Sequence, residues 1–70
     1  MDAEKVKAAL AEIQVAADRG DGECAHILED NLRDDVLEAI ASGTLSAKWA
    51  AELAKLALSS HDIDFYRHYA

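Results

Sequence analysis

The chain has 70 residues, which is enough for one domain, residues 1–70. Its core is expected to be thin, because a chain of this length buries only roughly 60% of the surface that it exposes when unfolded. It carries 14 acidic side chains against 7 lysines and arginines, a net charge of −7. This balance argues against direct binding to nucleic acid or to an anionic membrane, since phosphate contacts need clustered lysines and arginines. With no proline and 3 glycines, the composition favours long helices over tight hairpins.

The compartment is predicted from the cysteine content and from the N-terminus. Cys24 is the single cysteine of the sequence, so an internal disulfide is excluded and a reducing compartment is favoured. The N-terminus lacks the basic region and the apolar run of a signal peptide, and no segment reaches the length of a membrane span. We therefore expect a cytoplasmic location in the host cell.

The first helix is predicted to begin after Asp2, whose carboxylate can cap the first turn, and to run to about Ala17. Its apolar positions are spaced by four, three and four residues, which places them on one stripe: Val6, Leu10, Ile13 and Ala17. Val15 lies on the opposite side. Gly20 then favours the left-handed conformation that ends a helix, and Asp21 is a candidate cap for the next one.

The second helix is predicted over roughly residues 22–42. When its residues are placed at 100° intervals, one face is apolar and comprises Ala25, Leu28, Leu32, Val36, Ala39 and Ile40. The opposite face is acidic and comprises Glu23, Asp30, Asp34 and Glu38. Glu29 and His26 do not follow this division, because they project with Arg33 from the flank of the apolar face.

Gly43 is predicted to end the second helix, and Ser46 to cap a third. The apolar stripe expected on the third helix comprises Trp49, Leu53 and Leu56, widened by Ala50 and Ala57. Ser59 or Ser60 is expected to cap a last segment, which forms either two helical turns or an extended tail. These elements predict an all-α protein: a small three-helix bundle with a short C-terminal helix or tail.

A polar group on the flank of the second helix is the first candidate site. The side chains of His26, Glu29, Asp30 and Arg33 are spaced to touch, as a His26–Asp30 pair and a Glu29–Arg33 pair. The favoured interpretation is an ion-pair network at the edge of the core. A compatible functional interpretation is a partly buried polar patch that fixes the register of an interface.

Metal binding and catalysis find little support in the sequence. A histidine and a carboxylate three residues apart can ligate metal in helical bundles, but such sites need further inward carboxylates from other helices, which the first and third helices do not offer. The ligand types near the C-terminus, His61, Asp62, Asp64 and His68, have no recognised zinc or calcium spacing. We therefore expect no enzyme activity, no metal and no cofactor.

The C-terminal stretch DFYRHYA is the second candidate site, because it holds three of the four aromatic residues around Arg67. Tyrosine and arginine are enriched where binding energy concentrates in interfaces. The favoured interpretation is that Phe65 and Tyr69 close the open end of the bundle. The alternative is a partner site formed by Phe65, Tyr66, Arg67 and Tyr69.

The segment AHILEDNLRDDVLEAIASG, followed after an alanine-rich segment by DFYRHYA, resembles a group of small uncharacterised proteins encoded by actinobacterial phages and their hosts. That group has the pattern A-H-x-x-E-D-x-L-x-x-D-V-L-x-A-I-A-x-G and the tail D-F-x-R-W-Y-A. The match falls on Ala25, His26, Glu29, Asp30, Leu32, Asp35, Val36, Leu37, Ala39, Ile40, Ala41 and Gly43, and then on Asp64, Phe65, Arg67, Tyr69 and Ala70.

The resemblance implies an origin and no activity. His68 stands where the pattern has tryptophan, so a role that requires an indole is not carried over. Both candidate sites belong to the shared pattern. We therefore hypothesise that Glu29 or His26 receives Arg67 or Tyr69, which would fix the C-terminus across the second helix.

Three functional hypotheses follow. The leading one is a non-enzymatic protein-interaction module, a phage or mobile-element accessory protein that binds a host or phage protein. Such a module could also form a homodimer through Val15, Ile27 or Leu37, which lie off the main apolar stripes. The first alternative is an acidic nucleic-acid mimic, which would use the eight acids of residues 18–38 to occupy the basic groove of a DNA- or RNA-binding protein. The second alternative is a small metal-dependent enzyme.

Overall fold

A computed structural model describes residues 1–67 of the chain. Within this range it has three α-helices, α1 (Ala3–Asp18), α2 (Gly22–Ala41) and α3 (Ala47–Leu58), then a 3-10 helix at Ser59–Asp62 and a segment without helix to residue 67. The predicted all-α three-helix bundle with a short C-terminal helix is confirmed. Between residues 1 and 67, none of the helices is long and apolar enough to cross a lipid bilayer.

Each α-helix begins at the residue that the sequence predicts as its cap. The side chains of Asp2, Asp21 and Ser46 each accept a hydrogen bond from the backbone N–H three residues further on, at 2.9, 3.1 and 3.2 Å. Such bonds satisfy amides that have no partner within the helix. Gly20 and Gly43, with φ of 78° and 75°, take the left-handed conformation after α1 and α2, as predicted.

The core lies where the apolar stripes of the three helices meet. It consists of Val6, Ile13, Ala16, Ala25, Leu32, Val36, Leu53, Ala57 and Ile63. Most of these residues are on the predicted faces, although Ala16 rather than Ala17 is the fully buried alanine of α1. Because three of the nine are alanines, the core contains few large side chains, and the C-terminal segment supplies one of them, Ile63.

The prediction that Trp49 belongs to the buried stripe of α3 is wrong, because its side chain is 55% exposed. Trp49 lies in the first turn of α3, beside the first residues of the chain around Met1, with which it lines a shallow hollow. Met1, Ala3 and Leu45 also border this open hollow, which leaves much of the ring in solvent. The stripe is buried further along α3, at Leu53 and Ala57.

The prediction that Ser59 or Ser60 caps the last segment is also wrong. The 3-10 helix continues directly from α3 without a break, so it has no free N-terminus to cap, and Leu58 precedes it without any side-chain cap. The Ser59 hydroxyl instead donates to the Leu56 carbonyl at 2.5 Å, and Ser60 is buried. Ile63 has an extended backbone and residues 64–67 have no regular secondary structure, so the two helical turns of the first alternative are not present within the described residues.

Candidate functional site: a buried ion pair and an apolar groove

Glu29, near the middle of α2, is a buried charged residue, 1% exposed. The Arg67 guanidinium meets it with two hydrogen bonds, from Nε to Oε1 and from Nη2 to Oε2, both at 3.2 Å. This forked arrangement matches the planar geometry of the two groups. Of the contacts hypothesised from the sequence, the Glu29–Arg67 pair is therefore present, whereas Tyr69 lies outside the described residues.

Arg67 also donates hydrogen bonds to the backbone of the segment that leads to it. Its Nη2 donates to the carbonyls of Ser60 at 2.9 Å and Ile63 at 2.8 Å, and its Nη1 donates to the Phe65 carbonyl at 3.4 Å. The guanidinium carbon lies 3.9 Å from the centroid of the Phe65 ring, within the range of a cation–π interaction. Residues 60–67 thus fold around one cation, which is anchored to Glu29. We call this arrangement the Arg67 clamp.

A second cation faces the same carboxylate. Nη2 of Arg33 lies 3.7 Å from Oε2 of Glu29, which confirms the predicted Glu29–Arg33 pair. The same Nη2 lies 2.6 Å from Nε2 of His61. Because arginine can only donate, His61 accepts through Nε2. His61, which the sequence offered as a metal-ligand type, thus joins the 3-10 helix to α2.

The pKa of Glu29 results from opposing contributions. Burial raises the pKa of Glu29, because the charged form loses hydration. The hydrogen bonds from Arg67, together with the Ser60 hydroxyl, lower this pKa, and the positive charges of Arg33 and Arg67 lower it further, so that the lowering outweighs the effect of burial. The net pKa lies below the ordinary value of 4.5. The Ser60 hydroxyl makes no hydrogen bond of standard geometry, so we regard the Arg67 fork as the main stabilising contact of an ionised Glu29.

The predicted His26–Asp30 pair is also present, with Nε2 of His26 3.2 Å from Oδ2 of Asp30. The His26 side chain is 12% exposed, whereas that of Asp30 is largely in solvent. Among residues 1–67, no three histidine, cysteine, aspartate or glutamate side chains come together in a way that could hold a metal ion. The polar flank of α2 is organised within this range by ion pairs.

An apolar groove of about 300 Å³ runs between α2 and α3. Its walls are Leu37 and Leu58, which are 62% and 60% exposed, and Arg33 lies at one end. The remaining lining residues are Val36, Ile40, Ala54 and Ala57. The sequence predicted Leu37 as an off-stripe residue but missed Leu58. The sequence does indicate that Leu58 is exposed, because it lies about 140° around α3 from the buried Leu53 and therefore points away from the core.

The other exposed candidates lie away from this groove. Val15, 58% exposed, borders a separate hollow with Glu12 and Arg19, and Ile27 is 52% exposed on α2. In the tail, Phe65 packs partly against the core, whereas Tyr66 is 68% exposed. The structure therefore separates the three residues considered for a homodimer, and only Leu37 lines the α2–α3 groove.

Fold and site together define the class: a small three-helix bundle whose C-terminal segment is held by a buried ion pair and which presents an apolar groove. Comparison of the chain with protein-family models, with curated proteins and with solved structures found no match in any of the three.

Proposed function

We propose that this protein is a non-enzymatic protein-interaction module, a phage or mobile-element accessory protein, which binds a protein partner through the groove between α2 and α3. The observation that carries the proposal is the exposure of Leu37 and Leu58 on either side of this apolar groove. Exposed leucines are common singly, but two that flank a continuous apolar hollow form the kind of patch that interaction sites use.

The ion-pair network supports this role because it holds one end of the groove in place. Arg33 lines the groove and contacts both the buried Glu29 and His61. The groove end is therefore tied to the Arg67 clamp through hydrogen bonds and charge. A surface that is ordered before binding loses less conformational entropy when a partner docks.

The proposed origin rests on the resemblance to the actinobacterial phage group. Glu29 and Arg67 both belong to the shared pattern, and they form the ion pair of the clamp. Leu37, a wall of the groove, belongs to the pattern as well. The shared residues thus include one wall of the proposed binding surface, whereas Leu58 and Arg33 lie outside the pattern.

Affinity capture with matched variants tests this function. The tagged wild-type protein, a Leu37→Ser/Leu58→Ser double variant and a Val15→Ser control are each incubated with an actinobacterial lysate that also contains an untagged copy of the chain. We expect proteins retained by the wild type to be retained by the Val15→Ser control and lost by the double variant. Circular dichroism of the three baits establishes that each is folded.

Two results of this capture would contradict the proposal. One is that all three baits retain the same proteins, because the groove would then be irrelevant to binding. The other is that the wild type retains nothing above the level of the double variant. Mass spectrometry of the retained proteins distinguishes these outcomes.

A second candidate function, the acidic nucleic-acid mimic, is favoured by one observation. Asp30, Asp34 and Glu38 are exposed at intervals of four residues along α2, which spaces their carboxylates by about 6 Å along the helix. Such a mimic would retain a DNA- or RNA-binding protein in a salt-sensitive manner. Replacing the three acids with their amides would abolish this retention, whereas the Leu37→Ser/Leu58→Ser variant would preserve it.

A further inference from the structure

We propose that the site around Glu29 is a receptor for a basic, non-helical segment of another protein that carries an arginine, and that the chain's own residues 63–67 occupy this site when no such partner is bound. The site is separate from the groove between α2 and α3, although Arg33 borders both. The contacts of the Arg67 clamp define the chemistry that fits it.

The groups that receive the guanidinium lie in elements that end before residue 63. The Glu29 carboxylate, on α2, accepts the two hydrogen bonds of the fork, and the Ser60 carbonyl, in the 3-10 helix, accepts a further one at 2.9 Å. A planar pair of acceptors of this kind distinguishes arginine from lysine, which carries a point charge. These groups therefore select an arginine, whichever chain supplies it.

The segment that ends at Arg67 shows which neighbours of the arginine fit the site. Ile63, Phe65 and Arg67 are buried or partly buried, whereas the two residues between them are exposed. Ile63 and Phe65 pack on the core, and the Phe65 ring centroid lies 3.9 Å from the guanidinium carbon. The fitting motif is thus an aliphatic residue, an aromatic residue and an arginine at alternate positions. Because side chains make these contacts, a segment of another protein with the same motif can make them too.

Release of the chain's own segment leaves Glu29 with a cation beside it. Arg33, one turn further along α2, lies 3.7 Å from the Glu29 carboxylate. Breaking a buried ion pair is costly chiefly because one charge is left uncompensated, and Arg33 reduces that cost. The departing guanidinium also keeps its hydrogen bonds to the carbonyls of Ile63 and Phe65, which belong to its own segment. One arginine-bearing segment can therefore replace another at this site while the helices stay folded.

The charge around the site favours a partner segment that is more basic than the chain's own. Residues 18–38 carry eight acids against two arginines, and the exposed Asp64 adds a further negative charge to the segment that is seated on α2. A basic side chain in place of Asp64 exchanges repulsion for attraction. This gain offsets the high effective concentration of the chain's own segment, which is covalently attached to the bundle.

NMR titration of the full-length chain with short peptides tests this exchange. The probe is the acetylated and amidated peptide Ile-Lys-Phe-Tyr-Arg, which is residues 63–67 with a lysine in place of Asp64. We expect it to shift the backbone amide signals around Glu29 in the Arg67→Ala variant, with a dissociation constant at least roughly tenfold lower than in the wild type, whose own segment competes. The same peptide with lysine in place of its arginine should bind the variant at least roughly fivefold more weakly.

Matched variants locate the bound peptide. Arg67→Ala/Glu29→Gln lacks the carboxylate and should bind the probe at least roughly tenfold more weakly than Arg67→Ala. Arg67→Ala/Glu38→Gln removes the same charge at an exposed position further along α2 and should bind within about twofold of Arg67→Ala. Circular dichroism establishes that each variant is folded. Arg67→Lys, which keeps the charge but loses the planar fork, replaces Arg67→Ala throughout if the latter does not fold.

Three results would overturn the receptor site. The first is that the Arg67→Ala variant shows no shifts around residue 29 with ~5 mM peptide, a concentration that detects even millimolar affinity. The second is equal affinity for the wild type and for Arg67→Ala, because the chain's own segment would then not compete. The third is that Glu29→Gln has no effect on binding. Adding Leu37→Ser/Leu58→Ser to the Arg67→Ala variant should leave the titration unchanged, which separates this site from the α2–α3 groove.

Discussion

At position 29, a carboxylate that is 1% exposed is surrounded by protein and depends on Arg67 for its two hydrogen bonds. Removing one partner of such a pair leaves the other charge with the cost of its burial. We predict that Arg67→Ala lowers the free energy of unfolding by about 2 kcal/mol, below the upper range for broken buried pairs because the segment can detach and hydrate Glu29. Urea denaturation followed by circular dichroism measures this change.

The matched control for this variant is Arg19→Ala. Arg19 pairs with Asp21 at 3.5 Å, and both side chains are about half exposed, so its removal should cost less than roughly 0.5 kcal/mol. Arg67→Lys should fall between the wild type and Arg67→Ala, because lysine keeps the charge but lacks the planar fork. Equal losses for Arg67→Ala and Arg19→Ala would show that the clamp does not stabilise the fold.

The lowered pKa of Glu29 predicts a specific dependence of stability on pH. The folded-state pKa lies below the ordinary 4.5, so the stabilisation by this group is complete above the unfolded-state pKa and is lost as the pH falls through the folded-state pKa. We predict that the difference in unfolding free energy between the wild type and Glu29→Gln is constant near neutral pH and shrinks as the pH falls below 4.5. Thermal or urea unfolding from neutral to acidic pH tests this, and a difference that grows toward acid would contradict it.

At the scale of the helices, the sequence predicts most of the fold because the signals are local. A cap and its amide are three residues apart, and a left-handed glycine ends a helix without reference to the rest of the chain. For these reasons the predicted ends of α1 and α2 agree with the structure to within one residue. The His26–Asp30 and Glu29–Arg33 pairs were predictable on the same basis, since both lie within one turn of α2.

The features that the sequence predicts poorly depend on contacts between elements. Trp49 has the spacing of a buried residue, but its exposure depends on how the start of α1 and Leu45 pack beside it. Leu58 becomes a wall of the groove only because α2 lies beside it. The sequence proposes Arg67 or Tyr69 as the tail residue that meets Glu29 or His26, and it is the path of residues 59–67 that brings Arg67 onto Glu29.

At the scale of the whole molecule, the segment after α3 completes a core that three helices leave thin. Ile63 is 9% exposed and belongs to the same cluster as Leu32 and Leu53. Phe65 packs on that cluster from the tail, and Arg67 fixes the tail's path. A segment without regular structure therefore contributes buried area to the same core as the helices.

This integration predicts that Ile63→Ala destabilises the whole bundle. Truncating a buried isoleucine to alanine costs about 2 kcal/mol or more, which for a domain of this size corresponds to a fall in Tm of roughly 8–16 °C. Ile27→Ala is the matched control, because Ile27 is 52% exposed on α2, and its Tm should change by only a few degrees. Calorimetry of both variants at one protein concentration tests the prediction. If Ile63→Ala melts with the wild type, the segment after Asp62 is an appendage, and the three helices alone account for the stability of the fold.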